Sequence, residues 1–324
     1  MSGELLRVTG LEVDFETPFG LSRALRGVSF AVESGEVFGL VGESGCGKTL
    51  TGRTILGLVP PNAHVRGSVS LHGRNLEELS PKRRREVRGR QLGMIFQNPG
   101  QALNPVFTVG QQMAAIVRHH RSLRGRELRA RTRTLLHEVG LPNPGEIINA
   151  YPHHLSGGMQ QRVMIGMALA SEPELLIADE PTTALDVTIQ AQILSLLTTL
   201  SERHRVAVLL ITHDMGVVAA TCKRVAVLYA GRVVEEGPVT TVFSQPYHPY
   251  TRGLLASLPE PEKRSQDLPV ILGSVPSGLE ALPGCAFAPR CDSALPACKD
   301  TAPPEVRFEP SHRTECHLYD SEGR

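Results

Sequence analysis

The stretch that decides the fold is Val37-Phe38-Gly39-Leu40-Val41, followed directly by Gly42-Glu43-Ser44-Gly45-Cys46-Gly47-Lys48-Thr49. The first five residues are apolar and predict a short, buried parallel strand. The next eight fit G-x-x-x-x-G-K-[ST], the pattern of a phosphate-binding loop between a strand and a helix. Glycines let backbone N–H groups approach phosphates without a Cβ in the way. Lys48 can reach the β- and γ-phosphates, and the Thr49 hydroxyl can ligate Mg²⁺. The stretch therefore predicts an α/β fold with a nucleotide site at residues 42–49 and at Leu50.

Three further strand-like runs end in polar residues. Asp179-Glu180 follows Leu175-Leu176-Ile177-Ala178, His213 follows Ala207-Val208-Leu209-Leu210-Ile211 and Thr212, and Gln97 follows Met94-Ile95-Phe96. Ligands of open α/β sheets collect at the carboxyl ends of the strands. We therefore expect Asp179 to hold Mg²⁺, Glu180 to act as general base, His213 to contact the γ-phosphate, and Gln97 to reach metal and water. Taken singly, each of these residues is also typical of a solvated or purely structural strand end.

The hexapeptide Leu155-Ser156-Gly157-Gly158-Met159-Gln160 predicts a second anion site. A helix that begins after Ser-Gly-Gly exposes unpaired N–H groups and the positive end of its dipole. The simpler alternative is a helix that merely begins after a Gly-rich turn. Two phosphate sites in one chain indicate either two nucleotides or one nucleotide shared between two chains. Farther on, apolar residues recur at helical spacing after Asp186, which predicts an amphipathic helix.

Length and charge limit the classes of function. A chain of 324 residues suggests about two domains, and a net charge of +1 gives no overall field for nucleic acid or acidic lipid. We see no signal-peptide pattern and no apolar run near the roughly 20 residues that span a bilayer. We therefore expect a soluble cytoplasmic protein that reaches a membrane only through a partner. Clustered basic residues favour solvated helical faces, with a nucleic-acid patch as the alternative; they are Lys82-Arg83-Arg84-Arg85, Arg118, Arg121, Arg124, Arg126, Arg129, Arg131 and Arg133.

Taken together and in this order, the motifs resemble those of the nucleotide-binding subunit of an ABC transporter. The corresponding elements are Walker A (residues 42–49), the Q-loop (Gln97), the signature (155–160), Walker B (175–180), the D-loop (Ala184-Leu185-Asp186) and the H-loop (His213). The resemblance implies a P-loop NTPase (RecA-like) core over residues 1–240 with an inserted helical subdomain at about 98–158.

The same resemblance assigns roles to these residues. It implies ATP bound at residues 42–50, catalysis by Glu180, His213 and Gln97, and Mg²⁺ held by Thr49, Gln97 and Asp179. It also implies a head-to-tail dimer in which residues 155–160 serve the ATP of the partner chain. An aromatic residue should stack on adenine, and Phe15 is our choice, with Phe19 as the alternative.

The spacing between motifs and the C-terminal sequence indicate which branch of the ABC family the chain resembles. No sustained heptads lie between Gln97 and Leu155, so a soluble, nucleic-acid-linked ATPase of the group is the less favoured alternative. Tyr247-His248-Pro249-Tyr250-Thr251, followed by a Cys-containing tail, resembles the oligopeptide/dipeptide importer branch, and within it the D-type ATPases of dipeptide permeases. We expect residues 241–324 to form a small, irregular extension.

This branch implies the location and the partners. We expect a peripheral subunit on the cytoplasmic face of a bacterial cell membrane, acting in uptake of di- or oligopeptides. Its partners would be two transmembrane permeases, a second related ATPase and an extracytoplasmic peptide-binding protein, with no nucleic acid. Nickel, glutathione or another small solute stays open as the substrate, because such relatives share the motifs.

Four of the six cysteines fall in the tail, at Cys285, Cys291, Cys298 and Cys316. Paired C-x-x-C motifs are absent, which speaks against an ordinary structural zinc site, and a cytoplasmic location disfavours disulfides. Four thiolates could hold a [4Fe–4S] cluster, and the segment from Cys285 to Cys291 resembles the tail of dipeptide-importer ATPases, which implies such a cluster. Zinc, with His312 and His317 as further ligands, and free thiols are the alternatives.

Overall fold

The structure, a computed structural model, describes residues 3–183, 185–258, 270–276, 278, 282–309 and 311–320. Ala184 of the predicted D-loop lies outside these residues. The chain divides into two compact units. The first comprises Met1–Leu5, Glu33–Val37 and Glu78–Ile211, and the second comprises Leu6–Val32, Phe38–Glu77 and Thr212–Arg324.

The strands are β1 (Glu4–Thr17), β2 (Gly20–Glu33), β3 (Val37–Val41), β4 (Ala63–Leu71), β5 (Arg74–Asn75), β6 (Leu92–Ile95), β7 (Leu175–Asp179), β8 (Ala207–Thr212), β9 (Arg224–Tyr229), β10 (Arg232–Pro238), β11 (Glu305–Glu309) and β12 (His312–Glu315). The helices are α1 (Lys48–Ile55), α2 (Pro81–Arg90), α3 (Pro99–Ala102), α4 (Val109–Arg121), α5 (Gly125–Glu138), α6 (Pro144–Ile147), α7 (Gly157–Leu169), α8 (Val187–His204), α9 (Met215–Thr221), α10 (Val239–Ser244), α11 (Pro249–Ala256) and α12 (Ala297–Asp300).

In the first unit, three parallel strands run in the order β8-β7-β6. Every residue of β7 and β8 is buried, which agrees with their uninterrupted apolar sequences. Four helices, α3 to α6, follow β6, and α4 begins with a capping box formed by Thr108 and Gln111. The bounds of the helical subdomain stay a prediction. The buried residues of α4 recur at helical spacing, at Val109, Met113 and Val117.

The second unit contains an antiparallel sheet in the order β2-β1-β4-β5, and strands in the order β11-β12-β10-β9-β3. Strand β3 pairs parallel to β9, with Phe38 opposite Arg224. Strands β9 and β10 form an antiparallel hairpin, and both turn residues, Ala230 and Gly231, have positive φ.

The C-terminal tail is less irregular than we expect from its sequence. Strands β11 and β12 form an antiparallel pair, and β12 pairs with β10 so that Glu235 lies opposite Thr314. Strand β12 pairs with a strand about 80 residues earlier in the chain, and local sequence does not indicate such a distant partner.

Three aromatic rings occupy the core of the second unit. Tyr229, Tyr250 and Phe287 are almost fully buried, and their ring centroids lie 4.6 to 5.4 Å apart. Phe287 belongs to the tail, so burial of these rings fixes part of the tail against β9 and α11. Within the described part of the chain, no helix has both the length and the apolar character needed to cross a membrane.

Candidate functional site

The predicted phosphate loop lies between β3 and α1, as the sequence indicates. Lys48 is buried, and its Nζ donates to the carbonyls of Gly42, at 2.7 Å, and Glu43, at 2.9 Å. Helix α1 has no side-chain cap at its N-terminus. Its first N–H groups therefore suit an anion, with Thr49 and Leu50 in the first turn.

Two glycines of this loop are required by their surroundings. Gly42 has φ of +157°, and a Cβ there would lie 2.2 Å from the carbonyl oxygen of Leu228. Gly47 has φ of +108°, and its Cβ would lie 2.6 Å from Leu25 Cδ2. Any larger residue would force the loop out of shape. Ser44 and Gly45 are exposed at its tip. Cys46 is buried, and burial raises the pKa of its thiol, so this side chain stays neutral.

In the first unit, Glu180 is held by two donors. Gln97 Nε2 donates to Glu180 Oε2 at 2.9 Å, and the Thr183 hydroxyl donates to the same oxygen at 2.8 Å. Asp179, the last residue of β7, is buried immediately before it. Gln97 and Glu180, which follow neighbouring strands, are thus in direct contact, while their predicted roles stay predictions. Sequence reasoning missed Thr183, although its position three residues after Glu180 placed it within reach.

The backbone of Glu180 is also unusual. Its φ is +44°, in the left-handed region that costs a non-glycine residue free energy, and its N–H donates to the carbonyl of Ile211 at 2.9 Å. The fold thus keeps a carboxylate in a fixed, strained position with neutral donors on one oxygen. Such a group can accept a proton from a water molecule.

The signature hexapeptide forms the start of α7. Ser156 is the N-cap, and its Oγ accepts from the N–H of Met159 at 3.4 Å. Ser156 and Gly157 are exposed, Leu155 is buried, and Gln160 Nε2 donates to the carbonyls of Pro152 and Leu155.

Gly158 allows close packing of α7 on α8, since a Cβ there would lie 2.9 Å from Ile189 Cγ2. Asp186 caps α8 by accepting from the N–H of Ile189 at 2.9 Å. The hexapeptide thus presents an accessible helix end in the same unit as Asp186.

His213 and the candidate adenine-stacking residues lie in the second unit. His213 is exposed directly after β8, and the next residue, Asp214, caps α9. Phe15 is partly buried in β1 opposite Ala63, whereas Phe19 is 86% exposed in the turn after β1. The choice between Phe15 and Phe19 stays a prediction.

The four tail cysteines lie near one another without forming a ligand set. Burial, together with the neighbouring Cys285, Cys291 and Cys298, raises the pKa of the Cys316 thiol to about 11. Cys285 and Cys298 are also joined by a backbone hydrogen bond of 2.8 Å. Across the described residues, no group of three or more His, Cys, Asp or Glu side chains could hold a metal ion.

The fallback zinc ligands have other partners. His312 Nε2 lies 2.9 Å from Glu235 Oε1, in a pair that is almost fully buried. His317 Nε2 lies 3.0 Å from the carbonyl oxygen of Thr301. Both histidines thus have other partners, and a metal site at the tail cysteines stays a prediction.

Comparisons with known proteins agree with this arrangement. The ABC transporter family model matches residues 25–183, and the model of the oligopeptide/dipeptide transporter C-terminal region matches residues 234–298. A protein of Sinorhizobium fredii named "Probable peptide ABC transporter ATP-binding protein y4tR" is 51% identical, over 96% of this chain and 94% of its own. The dipeptide transport ATP-binding protein DppD of Bacillus subtilis is 46% identical, over 98% of this chain and 95% of its own.

Solved structures show the same fold. A dimeric ATP-binding cassette in a post-hydrolysis state, bound to ADP and Pi, matches with a TM-score of 0.65 and 28% identity, over 72% of this chain and 99% of its own. The α/β, P-loop NTPase prediction is therefore confirmed, and so is ATP hydrolysis coupled to transport. The chain belongs to the family of ABC transporter ATP-binding proteins, in the branch that has the oligopeptide/dipeptide transporter C-terminal region.

Proposed function

We propose that this chain hydrolyses ATP to drive uptake of dipeptides or oligopeptides across a bacterial cytoplasmic membrane, as a peripheral subunit on its cytoplasmic face. The observation that carries the proposal is Glu180, held by Gln97 and Thr183 in a chain that also has a complete phosphate loop. The substrate class rests on relatives named for dipeptide and oligopeptide transport. Nickel, glutathione and other small solutes are the alternative cargo.

The proposed chemistry assigns one role to each residue. Lys48 and the N–H groups of residues 42–50 bind the phosphates, and Thr49, Gln97 and Asp179 are the proposed Mg²⁺ partners. Glu180 takes a proton from water while the water oxygen bonds to the γ-phosphorus and the bond to the β–γ bridging oxygen breaks, which leaves ADP and phosphate. His213 contacts the γ-phosphate, and Phe15 stacks on adenine.

A second ATPase chain completes the proposed site. The exposed N-terminus of α7, with Ser156 and Gly157, suits the phosphates of a nucleotide held by the partner chain. The proposed pairing is head to tail, with a related ATPase and with Asp186 near the shared nucleotide. The proposed domain boundaries are residues 1–240 for the ATPase, with the helical subdomain at 98–158, and 241–324 for the extension.

The proposed membrane partners are two permeases, with an extracytoplasmic peptide-binding protein supplying the substrate. Large apolar side chains are exposed in and beside the helical insertion, at Phe96, Val106, Phe107 and Tyr151. Exposed apolar residues that form a contiguous patch are typical of protein interaction surfaces, and we propose that these four residues belong to such a patch. They favour a protein partner over nucleic acid at this part of the chain.

For the tail cysteines we propose a [4Fe–4S] cluster, with zinc as the alternative. The support is the resemblance of the tail sequence and the backbone hydrogen bond of 2.8 Å from Cys285 to Cys298, which brings two of the four cysteines together. Anaerobically purified protein should contain about four irons and four sulfides per chain. Colourless protein with one zinc per chain would exclude the cluster.

Co-purification tests the proposed function. An affinity-tagged chain, expressed in its native host, should elute from solubilised membranes with two permeases and a second ATPase. Lys48→Ala should keep this complex but lose ATP binding, which separates assembly from catalysis. ATPase activity that nucleic acid stimulates, without membrane association, would refute the proposal.

A further inference from the structure

One residue of the phosphate loop, Glu43, is held by the C-terminal region at two points. The two carboxylate oxygens of Glu43 accept from the two terminal nitrogens of Arg290, at 2.6 and 2.9 Å. The backbone N–H of Glu43 donates to the Tyr250 hydroxyl at 2.9 Å. The carbonyl of Glu43 accepts from Lys48 Nζ at 2.9 Å. Glu43 thus connects the phosphate-binding lysine to residues more than 200 positions later.

Arg290 is fixed in place by the use of all its donors. Besides Glu43, it donates to the carbonyls of Ile271 and Leu272, at 3.2 and 2.8 Å, and to the Tyr229 hydroxyl at 3.3 Å. A guanidinium has five N–H groups, and five hydrogen bonds are present. Its side chain is 6% exposed. Two parallel hydrogen bonds between a guanidinium and a carboxylate fix the orientation of both groups in addition to attracting them.

Two aromatic rings pack around Arg290. Its guanidinium carbon lies 5.8 Å from the centre of the Tyr229 ring and 5.9 Å from that of Phe287, within the range of cation–π contacts. Arg290 ends a short 3₁₀ helix, Ala288–Arg290, that lies between Cys285 and Cys291. This part of the tail therefore presents the guanidinium to the loop from a packed base.

The charge of Glu43 makes the contact relevant to nucleotide binding. A carboxylate within a loop that receives a polyphosphate repels the ligand unless a cation offsets it. Arg290 supplies that cation at hydrogen-bonding distance and draws the carboxylate toward the tail. Neither role needs Arg290 to touch the nucleotide.

We propose that Arg290 is a positioning residue for ATP binding: by pairing with Glu43 it neutralises this carboxylate and fixes the phosphate loop in the conformation that receives the nucleotide. The C-terminal region thereby becomes part of the ATP site rather than an appendage. This proposal concerns the ATPase activity and does not depend on which solute is carried.

The test is steady-state ATPase kinetics of the assembled transporter in lipid nanodiscs, with ATP varied at saturating Mg²⁺. Arg290→Gln should raise KM for ATP at least tenfold, a change of about 1.4 kcal/mol, with kcat within twofold of the parent. Adding Glu43→Gln to Arg290→Gln should lower KM again at least threefold, because the unpaired carboxylate is removed. A purely structural role for Arg290 predicts no such recovery.

Matched variants cover the other outcomes. Arg252→Gln is the control, because Arg252 also lies in the C-terminal region but donates to Pro246 and Tyr319 and not to the loop. Its KM should stay within twofold of the parent. If Arg290→Gln does not fold, Arg290→Lys, which keeps the charge but not the two-bond contact, should raise KM about threefold. Unchanged KM in the folded Arg290 variants, or a double variant with KM no lower than that of Arg290→Gln, would overturn the proposal.

Discussion

A single carboxylate, that of Glu180, is the proposed base of the reaction, and its position depends on three neighbours. Gln97 and Thr183 donate to one of its oxygens, and its own N–H bonds to Ile211 at the end of a neighbouring strand. Its left-handed backbone is of the kind that clusters at functional sites. The sequence indicates Gln97 and Glu180, since both follow apolar runs. The sequence does not indicate the strained backbone of Glu180, because its φ angle is set by strand ends that meet only in the folded chain.

Glu180→Gln should abolish turnover but keep ATP binding. Glutamine can still accept hydrogen bonds but cannot take a proton from water, and loss of a general base lowers rates about 10²- to 10⁴-fold. We expect kcat of the assembled transporter to fall by that amount, with the Kd for a fluorescent ATP analogue within threefold of the parent. Substantial hydrolysis at both composite sites would refute Glu180 as the base.

A buried histidine makes the C-terminal region sensitive to acid. Burial lowers the pKa of His248 to about 4, and its neutral Nδ1 accepts from the N–H of Tyr250 at 3.0 Å. The unfolded chain titrates this group near pH 6.5. Its contribution to stability is therefore fully present above pH 6.5 and is lost as the pH falls toward 4.

His248→Asn should remove this dependence, because the asparagine oxygen can accept the same bond and does not titrate. Between pH 7 and pH 4.5 we expect the parent to lose roughly 2 to 3 kcal/mol more stability than the variant. Urea unfolding, monitored by tyrosine fluorescence, measures the difference. Parallel pH profiles of the two proteins would show that His248 is not the responsible group.

Helix α7 shows how one element serves both packing and the proposed site. Gly157 is exposed at its first position, and a Cβ there would only touch Leu185 Cδ2 at 3.7 Å. Gly158 faces Ile189 at 2.9 Å and is needed for packing on α8. The two adjacent glycines of the signature are thus needed for different reasons: Gly158 for packing, and Gly157 for access to the end of the helix.

Gly158→Ala and Gly157→Ala should separate these reasons. The first should destabilise the chain by about 1–2 kcal/mol, because an added methyl overfills a packed contact. The second should leave stability unchanged or slightly higher, since alanine favours helix. It should nevertheless lower the ATPase activity of the assembled transporter, because the added methyl group blocks the approach of the nucleotide phosphates to the start of α7. Thermal unfolding and ATPase assays on both variants decide this. Equal stability of the two variants would contradict the packing argument.

Other elements differ in how far the sequence predicts them. Val37–Val41, the loop after it and the amphipathic helix after Asp186 are clear from local patterns, and the structure has all three. Local patterns do not predict the pairing of β10 with β12 or the contact of Arg290 with Glu43. Each of these joins residues that are far apart in the chain. No local pattern encodes such a register or such an ion pair. For the tail cysteines the resemblance implies a cluster; the described residues include no group of three or more possible metal ligands, so the cluster stays a prediction.

At the scale of the whole molecule, the proposed activity belongs to an assembly. The phosphate loop and the exposed signature helix of one chain are proposed to serve two different nucleotides. A chain purified alone should therefore be a poor ATPase, with kcat at least tenfold below that of the complex with its second ATPase and permeases. Equal activity per chain in the two preparations, measured by phosphate release, would show that one copy contains a complete site.

The central claim, that ATP hydrolysis by this chain drives peptide import, is tested by uptake of a labelled dipeptide. The transporter, purified with its permeases and second ATPase, would be reconstituted into proteoliposomes with the substrate-binding protein outside and ATP inside. We predict accumulation of the dipeptide that requires internal ATP and disappears with Glu180→Gln. Uptake that continues in that variant, or an intact and ATP-hydrolysing complex that moves no peptide, would contradict the account.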